Sequence, residues 1–325
     1  MNLIIYVFII FVLLISLIFL LNSHGNYSVH LTKIPFIFTI YYKFKNKSVV
    51  PCSVIKLLKK LNPYISFFGF FGLFISSFLV LMLFISILLG LKIPNYFVPI
   101  MPFVLKGTIY SPYPFWIFGF FIAVIIHEFV HYMMFRVYDV KVYDMCFGIN
   151  CLLLPFFPFG FVDADLDNFG KLSNSKKISI FASGALSNIM SALILILISI
   201  FVFDLNFVVE TQQKVTFLHL SQAGLISKNY AGFSFFQKLV GFSYNSGLQI
   251  LLDILLWTIL FNFLVGLLNF LPIKKTDGRK IFRIFLFAIF QNNKQLAEKI
   301  YIFADYMFQA IILFLIIIFP LSIII

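Results

Sequence analysis

Long apolar stretches separated by short polar segments dominate the pattern of this chain. A helix that crosses the hydrocarbon core of a bilayer needs roughly 20 apolar residues. Six stretches meet this requirement, at residues 3–21, 66–91, 115–135, 178–203, 250–272 and 301–325. We expect the first stretch to be retained as a span, because no basic residue precedes it and it is too long for a signal peptide. The pattern predicts an all-α polytopic membrane protein with six transmembrane helices.

Lysine and arginine residues are distributed unevenly between the connecting segments. Segments 22–63, 136–177 and 273–300 carry 19 of the 24, whereas segments 92–114 and 204–249 carry five. Because basic residues concentrate in the cytoplasmic loops of membrane proteins, this bias predicts that both termini lie outside and that the 19 residues face the cytosol. An even number of spans agrees with this orientation, since both termini then lie on the same side.

One further apolar segment, residues 146–162, does not have the character of a transmembrane helix. Gly148, Pro155, Pro158 and Gly160 interrupt it, and such residues break helices. Irregular backbone at membrane depth has to be covered by protein or to line a wet cavity. We therefore predict a re-entrant or β-strand segment on the cytosolic side.

The composition agrees with a lipid environment for most of the chain. Hydrophobic residues make up 62% of the 325 residues and charged residues only 11%. A soluble core of this size does not need so much apolar surface. The net charge of +12 does not indicate nucleic acid, because the basic residues lie in loops between apolar stretches, where they set topology and contact anionic lipids. We expect the lipid bilayer as a partner, and no nucleic acid.

The sequence His127-Glu128-Phe129-Val130-His131 lies near the end of the third predicted span. On a helix, residues i and i+4 share one face, so both imidazoles can bind the same metal ion, and Glu128 is near enough to deprotonate a water molecule there. Charged groups at membrane depth cost about 2.5–3.5 kcal/mol each on insertion scales, so unpaired ones are rarely kept. The motif therefore predicts a zinc site rather than interfacial side chains.

Asp277 is the strongest candidate for a third ligand, since a hydrolytic zinc site uses three protein ligands and leaves one position for water. It follows the fifth predicted span at the same cytosolic end as the histidines. Pro272 ends that span, and Gly278 gives the backbone the freedom to turn the carboxylate inward. The alternative interpretation of Asp-Gly, a surface turn, does not account for the matching depth. We predict one zinc ion per chain, held by His127, His131 and Asp277.

These motifs, in this order, resemble the site-2 protease family of intramembrane zinc metalloproteases. The resemblance covers roughly residues 115–283. It rests on the H-E-x-x-H helix, on the pattern N-x-x-P-x-x-x-x-D-G from Asn269 to Gly278, and on a small-residue helix between them with the pattern G-x-x-x-N from Gly184 to Asn188. The paired H-E-x-x-H and D-G motifs are specific, whereas the Gly-to-Asn pattern alone is a weak signal.

The resemblance implies roles for individual residues. Glu128 is expected to act as the general base of peptide-bond hydrolysis, beside zinc held by the two histidines and Asp277. Asn188 is expected either to face the active site, as a hydrogen-bond partner of substrate or oxyanion, or to form an inter-helix hydrogen bond. Asn269 is expected to be structural. Many members carry a PDZ domain where this chain has the outer loop 204–249, which is too short for a complete one.

The chain then divides into an N-terminal part at residues 1–114, a catalytic core at 115–283 and a C-terminal segment at 284–325. We expect a multi-pass membrane protease whose active site lies near the cytosolic face. Its substrates are expected to be transmembrane segments of other membrane proteins.

Three other functions share parts of this pattern. A membrane metalloprotease of the prenyl-protein-processing type also has H-E-x-x-H, but its third ligand is a glutamate, and neither Glu210 nor Glu298 stands in the required pattern. A zinc transporter or a catalytically inactive scaffold would hold zinc without needing a base. Glu128 beside the two histidines favours the protease over both.

Overall fold

The structure is a computed structural model that describes residues 27–31, 37–43, 50–90, 100–101, 109–110, 113–150, 157–203 and 246–324. Its helices are α1 (Cys52–Leu88), α2 (Tyr113–Val137), α3 (Leu166–Gly170), α4 (Asn174–Phe203), α5 (Ser246–Asn269), α6 (Asp277–Ile289) and α7 (Lys294–Ile324). Its strands are β1 (Tyr27–Leu31), β2 (Ile37–Lys43), β3 (Ile100–Met101), β4 (Ile109–Tyr110), β5 (Val142–Asn150) and β6 (Phe157–Ala164). The described chain is therefore mostly helical.

Among the described residues, three helical segments are long and apolar enough to cross a membrane by length and composition. They are Cys52–Leu88, Ile117–Val137 and Asn174–Ser199. They contain most of the second, third and fourth predicted spans. The fifth predicted span corresponds to α5, whose apolar part Ile254–Asn269 is shorter, and the sixth falls on α7. The first, at 3–21, lies outside the described residues, so the total of six stays a prediction.

Helices α2, α4 and α5 pack against one another in pairs, and α1 packs on α4. Glycines allow the close approaches. A Cβ added at Gly119 would lie 2.9 Å from the main chain of Trp257. A Cβ added at Gly266 would lie 2.7 Å from a side chain of α4, and one added at Gly69 would lie 2.5 Å from the Cβ of Ala182. Small residues of this kind are typical of helix interfaces in membranes, because they bring the backbones together.

The segment predicted as re-entrant or strand-like, residues 146–162, overlaps β5 and β6. They pair antiparallel, with Phe147 opposite Gly160, and the sheet order is β1-β2-β5-β6. The strand alternative is therefore confirmed over the described residues, while residues 151–156 lie outside them. Strand β6 is at one edge of this sheet, where Pro158 is tolerated because an edge strand can lack one ladder hydrogen bond. The same strand packs on α2.

The prediction of an all-α fold with a basic loop at residues 22–63 is corrected in two places. Strands β1 and β2 lie within that segment, and α1 begins at Cys52. Strand β2 is rich in the β-branched and aromatic residues that favour strands. At the start of α1, Ile55 and Leu58 are half-buried whereas Lys56 and Lys59 are exposed, which is an amphipathic helical pattern. The seven lysines of segment 22–63 favour the interpretation as a basic loop, so neither the strand pattern nor the helical pattern was recognised there.

Candidate active site

Helix α2 carries His127 and His131 one turn apart, on the face that packs against α4. Both side chains are buried, and their Nε2 atoms are 3.1 Å apart. This is the arrangement that the i, i+4 spacing predicts. Three α4 residues that are themselves spaced four apart face the histidines: Ile180, Gly184 and Asn188.

Gly184 lies directly against the two imidazoles. An added Cβ would be 2.4 Å from His131 Nε2 and 2.8 Å from His127 Nε2. The glycine therefore keeps open the space toward which both Nε2 atoms point. In the sequence, Gly184 is visible only as the first residue of the weak G-x-x-x-N pattern.

Asp277 reaches the histidines because the chain turns sharply after α5. That helix ends at Asn269, Lys275 adopts a left-handed φ of +77°, and Thr276 caps α6 by accepting a hydrogen bond from the Arg279 N–H at 3.4 Å. An added Cβ at Gly278 would lie 2.0 Å from the Phe270 carbonyl oxygen, so only glycine fits this turn.

The carboxylate of Asp277 completes a buried cluster. Its Oδ2 lies 3.0 Å from His127 Nε2 and 2.8 Å from His131 Nε2. Among the described residues, this is the one group of three or more His, Cys, Asp or Glu side chains whose arrangement suits a metal ion. The structure therefore brings together the three side chains that the sequence analysis predicted as ligands.

The second ring nitrogen of each histidine has a defined partner. His131 Nδ1 donates to the Ile180 carbonyl oxygen at 2.8 Å, and His127 Nδ1 donates to Asn188 Oδ1 at 2.9 Å. A carbonyl oxygen only accepts hydrogen bonds, so each Nδ1 carries the hydrogen and each neutral ring presents the Nε2 lone pair. A metal-binding histidine is usually held by such a hydrogen bond from its other nitrogen.

These residues fit a zinc ion. Two Nε2 lone pairs and a carboxylate oxygen converge within 3.1 Å of one another, and with neutral rings no hydrogen lies among them. Three acceptor atoms so close together repel one another, and a cation between them would remove this repulsion. Zinc bonds of about 2.0–2.1 Å in tetrahedral geometry place ligand atoms roughly 3.3 Å apart, which is close to the observed spacing. Two imidazoles and one carboxylate leave a fourth position open.

Lys280 holds the other carboxylate oxygen of Asp277, with its Nζ 3.2 Å from Oδ1. Burial alone would raise the pKa of Asp277, whereas the positive charge of Lys280 lowers it and favours the carboxylate. The anionic Asp277 can then offer its Oδ2 to a metal ion.

Glu128 lines the same cavity as the three candidate ligands. The cavity has a volume of about 440 Å³, and β6 forms one of its walls. Gly160 in β6 lies so near that an added Cβ would be 2.5 Å from Glu128 Cγ. The arrangement thus combines a metal site, a carboxylate beside it and an edge strand in one cavity, which is what metal-assisted hydrolysis of an extended peptide requires.

Asn188 is fully buried between three helices. Its Nδ2 donates to the Ala123 carbonyl oxygen at 2.8 Å and to Asn262 Oδ1 at 3.0 Å, while its Oδ1 accepts from His127. Both amide hydrogens are therefore used away from the cavity. This geometry favours the inter-helix alternative over a direct contact with substrate. Asn269 donates to the Val265 carbonyl oxygen at 3.1 Å within the last turns of α5, as a structural residue would.

Asn262 and Lys280 belong to none of the sequence motifs described above. A fully buried asparagine in an apolar helix is a signal in itself, because an amide at that depth needs partners. Lys280 is one turn after Asp277 on α6, but a lysine at a cytosolic boundary is too common for its sequence position to indicate a role.

His127 and His131 lie on an apolar helix long enough to cross a membrane, and together with the buried Asp277 and the neighbouring Glu128 they form the side-chain set of a metallopeptidase site. Residues 115–315 match the family model described as peptidase family M50. The chain belongs to this family, the site-2 protease family of zinc metallopeptidases, and the resemblance stated from the sequence is confirmed. No curated protein and no solved structure gives a match to the chain.

Proposed function

We propose that this chain is an intramembrane zinc metalloprotease that hydrolyses peptide bonds within transmembrane segments of other membrane proteins. The observation that carries the proposal is the position of the site: the histidines and Glu128 lie on a helix apolar enough to cross a membrane, and Asp277 meets them there. A hydrolytic centre at that depth is suited to substrates that are themselves in the bilayer.

The residues of the chain divide the chemistry between them. His127 Nε2, His131 Nε2 and Asp277 Oδ2 would hold the zinc ion. When bound, zinc lowers the pKa of a water molecule to about 7 and polarises a carbonyl group. Glu128 accepts the proton of the attacking water and delivers it to the leaving amine as the C–N bond breaks.

Strand β6 is the proposed binding place for the substrate backbone. The carbonyl groups of a substrate helix are engaged in i→i−4 hydrogen bonds, so the helix has to unwind before cleavage. Residues 159–162 of β6 line the cavity, and β6 is at the edge of the described sheet. We propose that the unwound segment pairs with this edge.

Proline scanning tests that pairing. Successive N–H groups of a strand point to opposite sides, so one of Phe161 and Val162 directs its N–H to β5 and the other to the open edge. The single variants Phe161→Pro and Val162→Pro are therefore expected to differ in stability. The more stable variant should keep its zinc and lose cleavage. Full cleavage by both variants would contradict the pairing.

We further propose that the active site lies near the cytosolic face and that both termini lie outside. The charge distribution supports this orientation, since 19 of 24 basic residues fall on one side of the predicted topology. A tag at the C-terminus should then be accessible to a membrane-impermeant reagent from outside. Labelling only after the membrane is opened would contradict the orientation.

The main experiment compares Glu128→Gln with a matched control, Glu298→Gln. Glu298 pairs with Arg283 at 3.6 Å and does not line the cavity. Each purified protein is reconstituted in liposomes with a panel of single-span model proteins, and zinc content and cleavage products are measured. We expect one zinc per chain in all three proteins. Loss of a general base costs about 10²–10⁴-fold in rate, so cleavage should disappear only in Glu128→Gln.

Two results would contradict the proposal. Cleavage that survives in Glu128→Gln would exclude Glu128 as the base. One bound zinc with no cleavage of any model protein by the wild type would instead favour the inactive scaffold or the transporter.

A further inference from the structure

A line of hydrogen bonds connects the metal site to the main chain of α5. His127 Nδ1 donates to Asn188 Oδ1 at 2.9 Å, and Asn188 Nδ2 donates to Asn262 Oδ1 at 3.0 Å. Asn262 Nδ2 in turn donates to the Thr258 carbonyl oxygen at 2.8 Å. Both asparagines have no exposed surface. The line is therefore shielded from water, and its members are partners for one another rather than for solvent.

Two main-chain carbonyl groups fix the direction of every bond in this line. Asn188 Nδ2 lies 2.8 Å from the Ala123 carbonyl oxygen, and Asn262 Nδ2 lies 2.8 Å from that of Thr258. A carbonyl oxygen only accepts, so turning either amide around would set oxygen against oxygen. Asn262 must consequently present its Oδ1 to Asn188, and Asn188 must present its Oδ1 to His127.

The direction of the line determines which nitrogen of His127 carries the hydrogen. An acceptor at Nδ1 stabilises the ring form with hydrogen on Nδ1 and a lone pair on Nε2. That lone pair points to Asp277 Oδ2 and His131 Nε2, at 3.0 Å and 3.1 Å. Neighbours of this kind raise metal affinity by orienting the ligand before the metal binds.

We propose that Asn262 is a positioning residue of the metal centre, acting through Asn188 to hold His127 in its zinc-binding form. The line also links three helices, because Ala123, Asn188 and Asn262 lie on α2, α4 and α5. Helix α5 thus contributes twice to the site: its C-terminal turn leads to Asp277, and its buried asparagine orients His127.

A double-mutant cycle on zinc affinity tests the proposal without any substrate. Asn262→Leu, Asn188→Leu and the double variant are purified, and their zinc affinities are measured by competition with a chelator. Loss of a partner behind a metal ligand typically lowers affinity about 10–100-fold. We expect Asn188→Leu to fall in that range and Asn262→Leu to lose about 10-fold. Because Asn262 acts through Asn188, the double variant should be no weaker than Asn188→Leu.

Ser76→Ala is the matched control. Ser76 is buried on α1, and within the described residues its Oγ has no hydrogen-bond partner. This small change alters the interior of the helical bundle at a residue outside the line, so zinc affinity should stay at the wild-type value. Asn262→Ala, which is smaller than leucine, repeats the cycle if Asn262→Leu does not fold.

The Co²⁺-substituted proteins provide a second readout, since the visible spectrum of Co²⁺ reports on its ligands. We expect an altered spectrum for Asn262→Leu and an unchanged one for Ser76→Ala. Wild-type zinc affinity in both Asn262 variants would overturn the proposal. So would a double variant in which the two losses add in full, because Asn262 would then act independently of Asn188.

Discussion

Replacing Gly184 by alanine is expected to abolish zinc binding while the helical bundle stays folded. The added methyl carbon would lie 2.4 Å from His131 Nε2 and 2.8 Å from both His127 Cε1 and Nε2. Non-bonded heavy atoms of this kind prefer separations of about 3.5–4.0 Å. The methyl group would therefore occupy the space between the two ligand nitrogens.

Relief of this contact requires a shift of about 1 Å between α2 and α4, estimated from the same preferred separation. Helix α4 cannot easily move away, because α1 meets it at Gly69 and α5 meets it at Gly266. The imidazoles would have to turn instead, which breaks the hydrogen bonds of both Nδ1 atoms. Overpacking of a core costs about 1–3 kcal/mol, so the variant should fold with reduced stability.

The assay measures zinc per chain, cleavage and thermal unfolding on the same preparations. Gly170→Ala is the matched control, because no atom lies within 4 Å of an added Cβ at that position. We expect the control to resemble the wild type, whereas Gly184→Ala loses zinc and cleaves at least about 100-fold more slowly, as a 1 Å displacement of catalytic groups predicts. A Gly184→Ala protein with one tightly bound zinc and full activity would refute this reasoning.

Three other changes separate metal binding from the rest of the site. Asp277→Asn keeps the size of the ligand but removes its charge, so the zinc affinity measured by chelator competition should fall at least about 10-fold. An unchanged zinc affinity would exclude Asp277 as a ligand. Gly160→Val places a side chain against Glu128 Cγ; cleavage should be lost with one zinc retained, and full cleavage would contradict the close approach. Lys280→Met removes a pair whose lysine is half exposed; since such pairs contribute about 0–1 kcal/mol, zinc affinity should change less than about fivefold, and a larger loss would give Lys280 a greater role.

The candidate metal ligands could be predicted from the sequence because simple geometry places them. The i, i+4 spacing of His127 and His131 fixes their common face on any helix, whatever the rest of the fold. Asp277 could be predicted for a different reason: it follows the fifth predicted span at the same depth as the histidines of the third. A re-entrant or strand-like segment at residues 146–162 could be predicted because proline and glycine exclude a regular helix there, and β5 and β6 overlap that segment.

The other features of the fold and of the candidate site could not be predicted, because they depend on contacts between elements that are distant in sequence. Strand β2 pairs with β5, more than 100 residues further on, and β1 pairs only with β2 in the described sheet, so the stability of both strands depends on contacts that their own sequence does not show. The role of Gly184 becomes visible only when α4 is placed against α2. The two open alternatives for Asn188 could not be separated until its partner on α5, Asn262, was known.

X-ray absorption at the zinc edge of the purified protein shows whether His127, His131 and Asp277 share one zinc ion. We expect a shell of nitrogen and oxygen atoms at about 2.0–2.2 Å, containing two imidazoles in the wild type and one in His131→Ala. A shell that contains sulfur at about 2.3 Å, or one that is the same in both proteins, would contradict it.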